Sequence, residues 1–229
     1  MIYLVPSFLS DNAIETIPDY VIAAVKNCQV IFAENERTTR RFLKAMDSEI
    51  VIDNFEWHTI HKAEKEVLGI FTQKIKEGKN IAIISEAGCP GIADPGQVLV
   101  HEAQKINAEI KPLVGPSSIL LALMASGFNG QHFSFHGYLP IDNLERIKKI
   151  KQLEEESSRK QCTQVFIETP YRNNKLLETI LEHCRPETQL CIASEITSPN
   201  EFLKTKKIKA WKNEKIDLHK KLVIFLLMA

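Results

Sequence analysis

No Cys-x-x-Cys pair, no Gly-x-Gly-x-x-Gly and no Gly-Lys-Ser/Thr occurs in the 229 residues. The first absence removes a zinc ribbon or dithiol redox motif. The others remove the common dinucleotide and nucleoside-triphosphate cradles. The five cysteines (Cys28, Cys89, Cys162, Cys184 and Cys191) are odd in number and suit a reducing cytoplasm better than a disulfide framework. Neither sign of charge dominates: 29 basic and 29 acidic residues cancel, so no global field recruits nucleic acid, and an RNA partner has to be met by a local patch. No apolar run reaches the length of a membrane span, and Met1 leads into Ile2-Tyr3-Leu4-Val5 without a basic n-region or cleavage site. The seven histidines show no metal-binding spacing; His58 and His61 read as surface. The expectation is a cytoplasmic protein with no metal and no membrane partner, large enough for one or two domains with a real core.

What is present is concentrated in one stretch, Ser85-Glu86-Ala87-Gly88-Cys89-Pro90-Gly91-Ile92-Ala93-Asp94-Pro95-Gly96. It follows the apolar run Asn80 to Ile84 and precedes Gln97 to Ala103, which has helical spacing. Strand, loop, helix is the pattern at the carboxyl edge of a parallel sheet, where open α/β sheets bind ligands. An ordinary strand-to-helix turn is the alternative, but it usually needs only about two to six residues. Three glycines and two prolines in a longer loop favour a binding role, because glycine allows close backbone approach and proline stiffens the chain.

The rest of the chain alternates strands and helices. A strand at Ile2–Val5 is followed by a loop over residues 7–12 and a helix opened by Ile17-Pro18 and running through Val21, Ala24 and Val25. Next come a strand at Gln29–Ala33, a helix over Arg37–Met46 and a weak strand at Glu49–Ile52. A helix over Lys62–Glu77 puts Val67, Ile70, Phe71 and Ile75 on one face. After the central loop and its helix, a strand near Glu109–Pro112 closes a parallel, crossover-connected half. Beyond Val114-Gly115-Pro116-Ser117-Ser118 the pattern changes. Helices are expected at Ser117–Ala125, Leu144–Ser157 and Asn173–His183, with strands at Gln164–Glu168 and Thr188–Ala193. Short strands and a lysine-rich link then close on Leu222–Leu227. The prediction is two α/β domains, residues 1–113 and 114–229.

Six blocks in order resemble one known family. Besides the central loop, which resembles Ser-Asp-Ala-Gly-Thr-Pro-x-x-Ser-Asp-Pro-Gly, they include Ala33-Glu34-Asn35-Glu36-Arg37-Thr38-Thr39-Arg40 and Gly115-Pro116-Ser117-Ser118 with Ala125-Ser126-Gly127-Phe128. The others are Phe135-His136-Gly137-Tyr138-Leu139-Pro140, Ile167-Glu168-Thr169-Pro170-Tyr171-Arg172 and Ala193-Ser194-Glu195-Ile196-Thr197. Together they resemble the 16S rRNA ribose-2'-O-methyltransferase I family of the tetrapyrrole methylase superfamily. There are departures: Pro6-Ser7-Phe8-Leu9-Ser10-Asp11 replaces Thr-Pro-Ile-Gly-Asn-Leu, and Asn35, Glu36, Cys89 and Ser194 replace the family's Asp, Thr, Thr and Arg. The family's small carboxy-terminal extension also has no counterpart in this sequence.

The resemblance implies a tetrapyrrole methylase-like fold, two α/β domains with a cleft between them for S-adenosylmethionine, and a homodimer. Carried across residue by residue, the cofactor contacts fall on Leu9, Gly88, Cys89, Ile92, Ser118, Ile119, Ile167 and Ala193. Core packing is the competing reading for Ile119, Ile167 and Ala193. A hydroxyl acceptor is poorly nucleophilic and benefits from a base or a cation beside it. The candidates are Glu34, Arg37 and Glu86 as catalytic residues, with Glu36, Asp94 and Glu168 as further carboxylates. Asp94 can equally cap the next helix. Arg37, Arg40, Arg41 and Lys44 form a stripe on one helical face. Arg40, Tyr171 and Arg172 are the expected substrate contacts. A second basic run, Lys204 to Lys221 around Trp211, can contact phosphates or simply be solvated. The expected activity is 2'-O-methylation of a ribose in small-subunit rRNA. The alternatives are a methylase of a tetrapyrrole or other small molecule, and a protein that binds the cofactor or its product without turnover.

Overall fold

In the computed structural model, residues 1–11, 13–60 and 64–229 are described. Asn12, His61 and the first two residues of the helix expected from Lys62 lie outside them. The chain divides into two compact units, Met1–Ser117 and Ser118–Ala229.

The first unit runs β1 (Ile2–Val5), α1 (Asp19–Lys26), β2 (Val30–Ala33), α2 (Glu36–Met46), β3 (Glu56–Thr59), α3 (Leu68–Lys76), β4 (Ile81–Ile84), α4 (Gln97–Lys105) and β5 (Ile110–Pro112). Its five strands are all parallel, in the order β3-β2-β4-β1-β5. β2 and β4 are apolar and buried throughout, as strands covered on both faces must be. Side-chain alternation divides them. Ile31, Ala33, Ala82 and Ile84 pack with Val21, Val25, Phe42 and Leu43 of α1 and α2. Val30, Phe32, Ile81 and Ile83 pack with Phe71, Leu99 and Ala103 of α3 and α4.

Three expectations need correction here. Glu49–Ile52 is not a strand: Ile50 is buried as a lone apolar plug, a 3-10 turn covers Ile52–Asn54, and the edge strand is Glu56–Thr59. That strand carries almost no apolar signal because only one of its sides is paired, on β2. Ile70 points to solvent, since a 3-10 turn over Glu64–Val67 leads into α3 and leaves Phe71 as its buried residue. His58 is not simply on the surface; its ring stacks on Phe32 at 4.9 Å.

The second unit runs α5 (Ser118–Ser126), β6 (Phe133–Tyr138), α6 (Asn143–Lys160), β7 (Thr163–Ile167), α7 (Asn173–His183), β8 (Gln189–Ser194), β9 (Phe202–Lys207), α8 (Ile208–Trp211) and β10 (Val223–Met228). The sheet order is β6-β7-β10-β8-β9, with only β6 and β7 paired in parallel. Phe166, Leu190, Ile192, Phe225 and Leu227 face α6, α7 and α8 in the main cluster. The alternate residues face α5, to which Thr205 is tied by a 2.8 Å hydrogen bond from its Oγ1 to the Ser126 carbonyl.

Candidate active site

In the first unit, β1 and β4 are neighbours whose following helices lie on opposite faces of the sheet. The crevice beyond their carboxyl ends is therefore the topological switch point, the usual ligand position in such sheets. Two loops meet there. Ser7 and Gly88 form an isolated antiparallel bridge, with Ser7 N donating to Gly88 O at 2.9 Å and Gly88 N to Ser7 O at 3.1 Å. The Ser7 hydroxyl donates to the Ser85 carbonyl at 3.1 Å. Gly88 has φ +73°, and a Cβ there would stand 3.2 Å from Leu9 Cδ2 and 3.4 Å from the Pro116 carbonyl. The positive φ favours glycine, while the Cβ would need only the tip of Leu9 to give by a few tenths of an ångström. Cys89 Sγ lies 3.5 Å from the same Pro116 oxygen. Leu9, Gly88, Cys89 and the Gly115-Pro116 turn thus converge. Ile92 is tied to Cys89 by a hydrogen bond from its N to the Cys89 carbonyl at 3.2 Å, with its side chain 54% exposed.

Carboxylates gather on the same edge. Glu34 follows β2 directly, and its Oε2 accepts from Glu86 N at 3.0 Å. Glu86 Oε1 accepts from the Thr38 hydroxyl at 3.2 Å, and the Asn35 side chain caps α2 by accepting from Arg37 N and Thr38 N. Burial pushes the Glu34 carboxyl up, and the Glu86 charge adds to that despite the backbone hydrogen bond. Asp94 is pushed up to about 7, first by burial and then by the charges of Glu34 and Glu86. It does not cap α4: the N-cap is Gly96, with no side-chain cap bond. The sequence pointed to capping because Asp before Pro-Gly is locally typical of it; only the fold brings two other carboxylates toward this residue.

The expected cations divide. Arg37 is exposed on the first turn of α2. Arg40 keeps part of its side chain in solvent, pairs with Glu36 and lies over the Trp57 ring at 5.0 Å from the centroid. The pair occupies both Arg40, an expected substrate contact, and Glu36, a candidate carboxylate.

In the second unit, Ile167 ends β7 half-buried and sits opposite Ile224 of β10, which sits opposite Ala193 of β8. Ala193 and Ile119 are buried in the unit's own packing, while Ser118 opens α5. Immediately after Ile167, the buried Glu168 accepts through Oε1 from Thr169 N at 2.6 Å and from Arg172 Nε and Nη2 at 3.0 and 2.7 Å. Its Oε2 is buried without a hydrogen-bond partner. Tyr171 is exposed beside it.

A family model described as Tetrapyrrole (Corrin/Porphyrin) Methylases matches residues 15–211. The chain belongs to this family. It is a methyltransferase, and two relatives carry the same name. The chain is 30% identical over 217 residues to ribosomal RNA small subunit methyltransferase I of Bacillus subtilis (strain 168), which covers 93% of this chain and 70% of that protein. It is 34% identical over 187 residues to the protein of that name from Thermotoga maritima, covering 80% of each. Among solved structures, the methyltransferase CobJ superposes with a TM-score of 0.63 at 18% identity, over 93% of this chain and 88% of the other. A cobalt precorrin-4 methyltransferase superposes with a TM-score of 0.62 at 13% identity, over 99% and 94%. These likenesses show the methylase fold, with a parallel first sheet and a mixed second one.

Within the methylase, no group of three or more His, Cys, Asp or Glu suited to a metal ion occurs among the described residues. No helix among them is long and apolar enough to cross a membrane. Burial pushes Cys28 and Cys184 up to about 12 and raises Cys89 and Cys191, which disfavours the thiolate at these four.

Proposed function

We propose that this methylase transfers a methyl group from S-adenosylmethionine to a ribose 2'-hydroxyl of small-subunit rRNA, acting in the cytoplasm as a homodimer. The observation that carries the donor is the Ser7–Gly88 bridge with its glycine cradle, where Leu9, Gly88 and the Pro116 carbonyl come together. Apolar walls with backbone donors and acceptors suit an adenosyl and methionyl ligand better than a phosphate. Leu9, Gly88, Cys89 and Ile92 are the first unit's candidates to hold it, and Ser118, Ile119, Ile167 and Ala193 are the second unit's, by the family resemblance. Ile167 is the strongest of the latter, being half-buried where Ile119 and Ala193 are spent on packing. When bound, the sulfonium supplies an electrophilic methyl group.

The chain's own part is to hold and orient the acceptor and to take its proton. Glu34, Glu86 and Arg37 surround the carboxyl edge as the catalytic candidates. Asp94 joins them, because a carboxyl titrating near neutral pH is suited to accept a proton during transfer. The rRNA names of the relatives support the acceptor. For the second copy, exposed Met124, Ile141 and Leu144 offer apolar surface.

The test is transfer of labelled methyl from S-adenosylmethionine to small ribosomal subunits lacking their native ribose methylation, with a precorrin as parallel acceptor. Label at a single ribose is the expected result; label only in the precorrin gives the small-molecule reading instead. Gly88→Ala, strained at φ +73° and pressed against Leu9 and Pro116, should weaken donor binding at least tenfold by calorimetry. Wild-type donor affinity in that variant would remove the cradle from the site.

A further inference from the structure

The turn from β7 into α7 carries more exposed chemistry than the packing of the second unit requires. Tyr171 is 71% exposed, and its ring meets His219 edge-to-face at 5.7 Å and 71°. Arg172, at the start of α7, is fixed by Glu168 through two hydrogen bonds to one carboxylate oxygen. Lys220 is exposed and Lys221 half-exposed on the loop that enters β10. The lysine run beyond Phe202 is therefore divided in function. Lys206 pairs with Glu214, and Lys207 and Lys209 with Glu187, whereas Lys220 and Lys221 belong to none of the ion pairs among the described residues.

The corner is also held rigidly. Lys220 N donates to the Pro170 carbonyl at 2.9 Å, and Asn173 Nδ2 to the Lys221 carbonyl at 2.8 Å. Leu218 N donates to Asn174 Oδ1 at 2.8 Å, and Leu222 N to Glu195 Oε1 at 2.6 Å. Asp217, the acid on this loop, accepts from Asn174 Nδ2 and His219 N at 2.8 and 2.9 Å; it also feels the Lys221 charge, which lies beyond ion-pair distance. A ring and two unpaired cations, with the Glu168-held Arg172 between them, are thus presented on two loops already locked together, so little ordering entropy is lost when a ligand lands on them.

We propose that this corner is a docking platform for single-stranded RNA, with one unpaired base stacked on Tyr171 beside His219 and the flanking phosphates on Lys220 and Lys221. A base inside a duplex cannot offer its face to a side chain, so the exposed ring selects unpaired segments. The cations contribute affinity that depends on salt and carries no sequence information. The platform begins four residues beyond Ile167, so it would hold an RNA strand at the carboxyl edge of the second sheet. The inference rests on the rRNA reading for its biological acceptor, but it makes a demand of its own.

The experiment is fluorescence anisotropy of the full chain with a short labelled single-stranded RNA and with the same strand in a duplex. The wild type should prefer the single strand. Tyr171→Ala should weaken that binding roughly tenfold, while Tyr171→Phe, which keeps the ring, should stay near wild type. Lys220→Ala and Lys221→Ala should each lower the salt slope by about one, and Lys209→Ala, already paired with Glu187, should leave it unchanged. Equal binding by Tyr171→Ala and wild type, or duplex bound as tightly as single strand, would overturn the platform. Failure of the rRNA reading looks different: ribosomal subunits would take no label while the Tyr171-dependent binding of single-stranded RNA persisted.

Discussion

The two units solve the same problem, presenting polar groups at the end of a sheet, by different means. In the first, every strand is parallel, so all carboxyl ends lie on one edge and backbone pairs tie the loops there, the Ser7–Gly88 bridge and Gly91 N donating to the Pro95 carbonyl at 3.1 Å, with side-chain bonds from the Ser7 hydroxyl and to Glu34 beside them. In the second, β10 and β9 run against β7 and β8, so one edge receives both strand ends and strand starts. That edge is held by side chains, chiefly Glu168 on Arg172 and Asn173 on the loop before β10. Their carboxylates differ accordingly. Glu168 is buried with a guanidinium, whereas Asp94 is half-buried facing two like charges. Burial beside like charges favours the proton at Asp94.

The comparison can be sharpened by three substitutions, taken from the largest effect to the smallest. At Gly115, an added Cβ would fall 2.3 Å from both Pro6 Cβ and Cγ, inside any real contact distance. Gly115→Ala should therefore destabilise the protein by about 3 kcal/mol in denaturant titration, through overpacking where the backbone scaffold is tightest. A wild-type midpoint would show that the first unit's loops are looser than their hydrogen bonds imply.

Glu168→Gln leaves Arg172 without its counter-charge. Arg172 keeps partial access to solvent, so the expected loss is about 2 kcal/mol rather than the larger cost of an enclosed cation. The conservative amide separates charge from shape. If Gln is as stable as Glu, the second unit is held by packing alone.

Asp94→Asn should act in the opposite direction. The folded carboxyl is pushed up to about 7 from an ordinary 3.8, so between those values the folded state holds a proton that the unfolded chain has released. Stability then falls as pH rises from about 4 to about 7 and stays low above it. The amide cannot ionise, so the variant should be more stable than wild type at pH 8, by about 1 kcal/mol once solvent screening is allowed for. The two should converge near pH 4. Melting curves at the two pH values check this, and an unchanged difference between them would show that Asp94 does not titrate as its surroundings require.

Much of the architecture could be read in advance where the local signal and the tertiary role agree. The buried strands β2 and β4 are continuous apolar runs, and α7 lies where its periodicity places it, Asn173–His183. The central loop announced itself through Gly88, Gly91 and Gly96, all at positive φ. Legibility failed at edges. Glu56–Thr59 pairs on one side only and needs few apolar residues, so Ile50 and Ile52 drew attention to the wrong place. In the sequence Arg40 reads, with the stripe, as an expected substrate contact, and helical spacing does not reveal that Trp57, on the neighbouring strand, lies beneath it. The lysine run looked uniform, although Glu187 and Glu214 take three of its members.

By itself, the sequence determined the alternation of strands and helices, the glycine-dependent loop and the family blocks, because these depend on propensity, periodicity and backbone freedom within a few residues of one another. Only the tertiary structure decided which charges are spent and which remain available. It set Asp94 against Glu34 and Glu86, laid Arg40 over Trp57, and brought Tyr171 to His219 across nearly fifty positions of chain. Electrostatic energy depends on distance through space and on burial, and neither is a property of spacing along the chain.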